Sequence, residues 1–362
     1  MPVDQGEAPP KDIRVLIADD SLFMRHLLRR ALEQHPRIAV VGEARDGVEA
    51  VRMNAELSPH VVVMDVEMPK MNGLSALERM MTEKPVPVLM FSSLTGEGTE
   101  TTLEALALGA VDFLTKPESR VSISPIADEL VRKVLNASSA RLRARRRALP
   151  RSAARRPEGG PSRSSGAVSR SLVIIGSSTG GPQALDEVIP KLPADFPSCV
   201  LVCQHMPAGF TRSMAARLNG LTAIPVSEAV EGDVFRRGSV YIAPGGQHSR
   251  VVVDKDPYIH LDTSEPVHGV RPSVDVTLLD AGPIFGPKLM VVIMTGMGFD
   301  GAKGAKAARS RGATVVCQDE RTSVVWGMPR ACVEIGASHK VLPLSKIAPA
   351  IVRFAEDAEE EI

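Results

Sequence analysis

Twice along this chain, short runs of aliphatic, strand-forming residues alternate with amphipathic helical stretches, and between the two series lies a segment suited to neither. In the first series the β-rich runs are residues 13–18, 38–43, 61–65, 86–91 and 112–116. Helical patterns separate them, Ser21 stands where it can cap the first helix, and a last helix is expected from about residue 124. Five such units in about 120 residues imply an α/β fold, a doubly wound parallel sheet with helices on both faces. The second series has strand-like runs at 172–175, 199–203, 240–243, 289–294 and 314–317, with helical patterns at 182–191, 212–218, 273–280 and 301–311. Residues 250–261, broken near Pro257, read as a hairpin added to that second doubly wound α/β sheet.

Residues 138–170 are mostly Arg, Ser, Ala, Gly and Pro, with eight arginines between Arg141 and Arg156, and keep no hydrophobic period. Three regions follow: a first domain over 11–137, a linker over 138–170 and a second domain over 171–362. The basic run has a competing reading as a nucleic-acid arm. No helix-turn-helix pattern accompanies it and no aromatic residues interleave it, so no nucleic-acid partner is expected. The formal net charge is zero, which argues against a polyanion-binding chain as a whole. Residues 1–12 lack a basic n-region and an apolar run, so no secretory signal is expected. The longest apolar stretches, such as 289–294, are far short of a membrane span. Cys199, Cys203, Cys317 and Cys332 form no CxxC pair and no metal-ligand spacing. They are expected to be reduced core residues of a cytoplasmic, non-membrane protein.

In the first domain the polar residues gather where strands end. Asp19 and Asp20 follow the first run, Asp65 ends the third, Ser92 follows the fourth, and Lys116-Pro117 follows the fifth. Strand carboxyl ends of a doubly wound sheet converge on one crevice. Three carboxylates crowded there repel one another unless a hard cation sits among them, and oxygen ligands favour Mg²⁺. With a lysine alongside, such a site suits an incoming phosphoryl group, one aspartate serving as nucleophile. These features resemble the receiver domain of response regulators over about residues 13–135. The matching pieces are Ala18-Asp19-Asp20-Ser21, Met64-Asp65-Val66-Glu67-Met68-Pro69, Asn72-Gly73 and Lys116-Pro117. The resemblance implies a flavodoxin-like receiver with Asp65 as phosphoacceptor. Mg²⁺ would be held by Asp19, Asp20, Asp65 and the backbone carbonyl of Glu67, and the phosphoryl oxygens by Ser92 and Lys116.

In the second domain the run 172–175 enters Gly176-Ser177-Ser178-Thr179-Gly180-Gly181-Pro182, a strand–turn–helix junction that satisfies G-x-S-x-G. Such a turn exposes a serine hydroxyl beside the N–H groups of a helix N-terminus. A Gly-rich ligand-binding loop is the alternative, although neither G-x-G-x-x-G nor a Gly-Lys-Ser/Thr ending is met. Two histidines, His205 and His248, follow strand-like runs and qualify as the base. Asp300 lies beyond a strand end and its turn, while Asp275 and Asp280 sit on a helical pattern, so strand-end placement favours Asp300 as the carboxylate but leaves the choice between the histidines open.

The domain resembles the catalytic domain of the chemotaxis protein-glutamate methylesterases (the CheB family) over residues 171 to about 353. Besides the glycine-rich turn, the matching segments are Gln204-His205-Met206-Pro207-Ala208-Gly209-Phe210-Thr211, Ala243-Pro244-Gly245-Gly246-Gln247-His248, Arg271-Pro272-Ser273-Val274-Asp275 and Thr295-Gly296-Met297-Gly298-Phe299-Asp300-Gly301-Ala302. The resemblance implies Ser178 as nucleophile, His205 as general base and Asp300 as its orienting acid. Backbone N–H groups of Thr179 and Met297 would form the oxyanion hole, and the esterase site would need no cofactor. His248 and Asp275 belong to the family's motifs but not to its triad. The implied substrates are glutamate methyl esters, and specific glutamines, on methyl-accepting chemotaxis receptors. The implied phosphodonor is a chemotaxis histidine kinase. Ser177 departs from the family pattern, where alanine is expected, and is expected to matter little.

Overall fold

A computed structural model describes residues 12–92, 96–116, 126–140, 142 and 166–360. The chain divides into two compact units, Met1–Leu142 and Arg143–Ile362. Most of the basic stretch expected to be a linker, residues 141 and 143–165, lies outside the described residues, as does Pro117.

The first unit is a five-stranded parallel sheet of β1 (Ile13–Ala18), β2 (Ile38–Ala44), β3 (Val61–Asp65), β4 (Val88–Ser92) and β5 (Asp112–Thr115), in the order β2-β1-β3-β4-β5. Every residue of β3 and β4 is buried, as expected for strands covered by helices on both faces. Side chains define the helix starts. Ser21 accepts from Met24 N at 3.3 Å, Asp46 from Glu49 N at 2.9 Å and Asn72 from Ser75 N at 2.9 Å. The chain leaves β1 for β2 on one side and returns to β3 on the other. Their carboxyl ends therefore flank a crevice.

The second unit holds a seven-stranded parallel sheet. Its strands are β6 (Leu172–Ser177), β7 (Cys199–Gln204), β8 (Val226–Glu228), β9 (Ser239–Ile242), β12 (Leu289–Ile293), β13 (Thr314–Gln318) and β14 (Lys340–Leu342). They lie in the order β14-β13-β12-β6-β7-β9-β8. The reversal of direction again falls beside the first strand of the unit, with β7 and β12 on either side of β6. The edge strands β8 and β14 do not stand out in the sequence. Each has three residues and is partly exposed, so neither carries an apolar run.

The hairpin, β10 (His248–Val253) with β11 (Pro257–Asp262), forms its own antiparallel two-stranded sheet rather than extending the main one. The position beyond β9 is taken by β8. The hairpin is instead held on the helix Val274–Phe285, where Thr277 Oγ1 donates to Ser249 O at 2.7 Å and Arg250 Nε to Asp280 at 2.9 Å.

Leu201, in the middle of β7, has no solvent exposure. Leu201→Ala is expected to cost about 2–5 kcal/mol through lost burial and a residual cavity. Urea unfolding followed through Trp326, the chain's one tryptophan, reads the second unit selectively and will show the lowered midpoint.

Candidate functional site

β6 ends at Ser177, and the turn Ser178-Thr179-Gly180 leads into the helix Gly181–Val188 with Pro182 in its first turn. Gly180 adopts φ 76°, a left-handed conformation that glycine takes without steric cost. Ser178 N donates to Thr295 O at 3.0 Å, tying the turn to the loop after β12. A Cβ on Gly296 in that loop would lie 2.9 Å from Ser178 Cβ and 2.4 Å from Met328 Sδ, so the close approach requires glycine. On the other side, Ser177 pairs in register with Gln204, and His205 N donates to Ser177 O at 3.0 Å. The half-buried Ser178 thus lies between the loops that follow β7 and β12. Thr179 is the next residue on its turn. Met297 follows Gly296, whose carbonyl accepts from Gly327 N at 3.0 Å and Met328 N at 2.9 Å.

His205 Nε2 lies 2.8 Å from Asp300 Oδ2, and both side chains are nearly sealed from solvent. Asp300 accepts three further bonds: from Ser273 Oγ at 2.7 Å, Val274 N at 2.7 Å and Asp275 N at 3.1 Å. Two of these donors are the opening N–H groups of the helix Val274–Phe285, a natural seat for an anion. Burial alone would raise the Asp300 pKa. The bond and charge interaction with His205, with the Ser273 and Val274 bonds, outweigh it and hold the carboxyl below its ordinary range. An ionised Asp300 facing Nε2 keeps the imidazole proton on that nitrogen and leaves Nδ1 as the acceptor.

Of the two histidines left open by local sequence, His205 is the one that meets Asp300, the carboxylate favoured by strand-end placement. His248 is wholly buried, its Nδ1 accepting from Ser273 N at 3.1 Å and its Nε2 donating to Glu265 O at 3.2 Å. Both ring nitrogens are engaged, so it braces Ser273 instead of serving as a base. Asp275 accepts from Gly304 N at 2.6 Å and pairs with His268 at 3.1 Å, and burial raises its pKa. Asp280 is taken by Arg250.

Two glutamines escaped the sequence reading. Gln318 Oε1 accepts from Thr295 N at 2.8 Å and so holds the loop beneath Ser178, and Gln204 bonds around Ser178 itself. Each is a polar residue closing an otherwise largely apolar buried strand, CVLVCQ or TVVCQ, which is the signal that marks them.

In the first unit Asp19, Asp20 and Asp65 offer carboxylate oxygens within 4.8 Å of one another. Lys116 Nζ lies 2.6 Å from Asp65 Oδ2 and 3.7 Å from Asp19 Oδ2. Asp65 Oδ1 accepts from Glu67 N at 3.3 Å, while Asp19 Oδ2 is buried without a hydrogen-bond partner. Burial, opposed by Lys116, pushes Asp65 up to about 6 and also raises Asp19. An orphaned buried oxygen among crowded, under-neutralised carboxylates fits a hard divalent cation such as Mg²⁺. The Ser92 hydroxyl is buried and turned toward the helix Gly96–Leu108, donating to Gly98 O at 3.1 Å and accepting from Thr102 Oγ1 at 2.6 Å.

No helix among the described residues is long and apolar enough to cross a membrane. The four cysteines are buried and unpaired, and burial pushes the Cys203 thiol up to about 12, leaving it unreactive.

The CheB methylesterase family matches residues 173–351, and the response regulator receiver domain family matches residues 15–127. The protein-glutamate methylesterase/protein-glutamine glutaminase of Symbiobacterium thermophilum is 49% identical over 357 residues, spanning 95% of this chain and 97% of that one. The protein of the same description from Pyrococcus abyssi is 44% identical over 349 residues, spanning 96% and 94%. The crystal structure of the Thermotoga maritima CheB methylesterase catalytic domain is 45% identical, with a TM-score of 0.50. It covers 51% of this chain and 99% of that one.

Because the depressed Asp300 pKa reflects bonds made only in the folded state, its stabilisation is complete above about pH 4. It is lost as pH falls through the lower folded value. Asp300→Asn is therefore expected to cost about 1–3 kcal/mol at neutral pH. The gap to the parent should narrow at about pH 3, as read by urea unfolding at the two pH values.

Proposed function

Because the chain belongs to the CheB methylesterase family and carries a receiver domain ahead of its esterase domain, we propose that Ser178, His205 and Asp300 hydrolyse glutamate methyl esters on chemotaxis receptors under the control of Asp65 phosphorylation. The observation that carries this reading is the 2.8 Å His205–Asp300 pair, formed between the loops that follow β7 and β12 on either side of the Ser178 turn. Ser178 Oγ attacks the ester carbonyl carbon and passes its proton to His205 Nδ1, a transfer worth on the order of 10²–10⁴ in rate. Asp300 retains the proton on Nε2 and balances the imidazolium. Thr179 and Met297 N–H groups receive the developing oxyanion, each worth roughly a hundred-fold or more. Methanol leaves with the proton from His205, and water then releases the acyl group by the same route. For a glutamine side chain ammonia is the leaving group.

Control rests on the receiver, read here as residues 11–137, tethered by 138–170 to a catalytic domain over 171–362. Asp65 accepts the phosphoryl group from a chemotaxis histidine kinase, and Lys116 and Ser92 bind its oxygens. Mg²⁺, with Asp19, Asp20, Asp65 and the Glu67 carbonyl as ligands, would neutralise charge at the phosphoryl group. The Lys116–Asp65 contact and the orphaned Asp19 oxygen support this assignment. A cytoplasmic setting fits four cysteines that stay unpaired.

Methanol release from methylated receptor membranes tests both halves. Ser178→Ala is expected to lose roughly 10³-fold or more of the rate. Asp65→Asn is expected to lose the stimulation that a small-molecule phosphodonor gives the parent protein. Release that persists in Ser178→Ala would remove Ser178 from its role, and stimulation that persists in Asp65→Asn would remove Asp65.

A further inference from the structure

One buried amide spans the gap between the nucleophile's strand and the base's strand. Gln204, the last residue of β7, donates through Nε2 to Ser178 O at 3.0 Å and to His205 O at 3.0 Å. Its Oε1 accepts from the Ser177 hydroxyl at 2.7 Å. Gln204 and Ser177 are register partners, almost wholly withdrawn from solvent, so these bonds form in a low-dielectric interior. The network admits one orientation of the amide. Reversed, it would set Oε1 against two carbonyl oxygens and lose both bonds. The Ser177 hydroxyl supplies the donor that the buried Oε1 requires. Above the amide there is no slack, since a Cβ on Gly181 would fall 1.9 Å from Oε1 and 2.9 Å from Ser177 Oγ.

The position matters because β6 and β7 stop pairing here. Past the strand ends, the His205 N to Ser177 O bond continues the ladder, and the Gln204 amide adds two bonds to the residues that carry the reaction. We infer that Gln204 and Ser177 are positioning residues for the hydrolysis: Gln204 ties the Ser178 carbonyl to the His205 carbonyl, and Ser177 locks the amide that does so. The inference rests on the roles proposed above for Ser178 and His205. It assigns a function to the hydroxyl that the sequence reading set aside as a small departure. Alignment of nucleophile and base is steep in distance, so loosening this clamp lowers the rate of the chemical step and leaves ligand affinity nearly unchanged.

The test follows labelling of the full chain by a fluorophosphonate, in which Ser178 Oγ bonds to phosphorus, fluoride leaves and the hydroxyl proton passes to His205. Wild type and Ser178→Ala are compared first. An unlabelled wild type, or equal labelling of Ser178→Ala, would overturn the nucleophile assignment and the clamp with it. Given Ser178-dependent labelling, Ser177→Ala is expected to slow the maximal rate about 3- to 10-fold, with half-saturation within about twofold. Gln204→Met, similar in shape but without donors, is expected to slow it about 30- to 100-fold. Ser177→Ala added to Gln204→Met should cost nothing more, because Ser177 acts through the amide. Wild-type labelling rates in Ser177→Ala, or fully additive losses in the double variant, would overturn the clamp while leaving the nucleophile in place. Thermal melts confirm that each variant is folded at the assay temperature. Should Gln204→Met not fold, Ser177→Ala decides alone, since it removes one oxygen.

Discussion

The buried carboxylate of Asp300 organises the catalytic unit. A charge so far from water is costly unless its oxygens are saturated with donors, and here four of them converge from two parts of the chain. Ser273, Val274 and Asp275 provide the mouth of a helix, and His205 provides the imidazole at the end of β7. His248 braces Ser273 from behind, and the hairpin is fastened to the same helix through Arg250 and Asp280. The carboxylate stays ionised because its bonds outweigh its burial, and that is the property that lets it fix the tautomer of His205.

The receiver unit uses the same place in its fold to the opposite electrostatic effect. Its carboxylates also sit at strand ends beside a reversal of strand order, yet they are under-satisfied. Asp19 keeps a buried oxygen with no hydrogen bond, and Asp65 is raised to about 6 despite the nearby Lys116. One site satisfies its carboxylate from within. The other keeps crowded negative charge that a hard cation would balance. That difference suits a catalyst whose chemistry is built in and a switch whose state depends on a ligand.

Much of this was legible in the chain. Aliphatic runs alternating with amphipathic stretches are local patterns set by burial, so both parallel sheets and the strand-end positions of Asp19, Asp65, Ser178 and His205 follow from sequence order. Edge strands β8 and β14 did not show, because a partly exposed three-residue strand carries no hydrophobic signature. Local pattern also left His205 level with His248, while strand-end placement already favoured Asp300 over Asp275 and Asp280. Only the fold separates the histidines. His205 and Asp300 stand 95 residues apart and meet because β7 and β12 flank β6, whereas His248 turns inward at the start of a hairpin. The weight of Ser177 was likewise invisible, since one hydroxyl in a strand gains meaning only from the amide of Gln204 across the sheet. Periodicity resides within a segment and is written in its residues. A hydrogen-bond partner is chosen by strand order and register, and these exist only once the chain has folded.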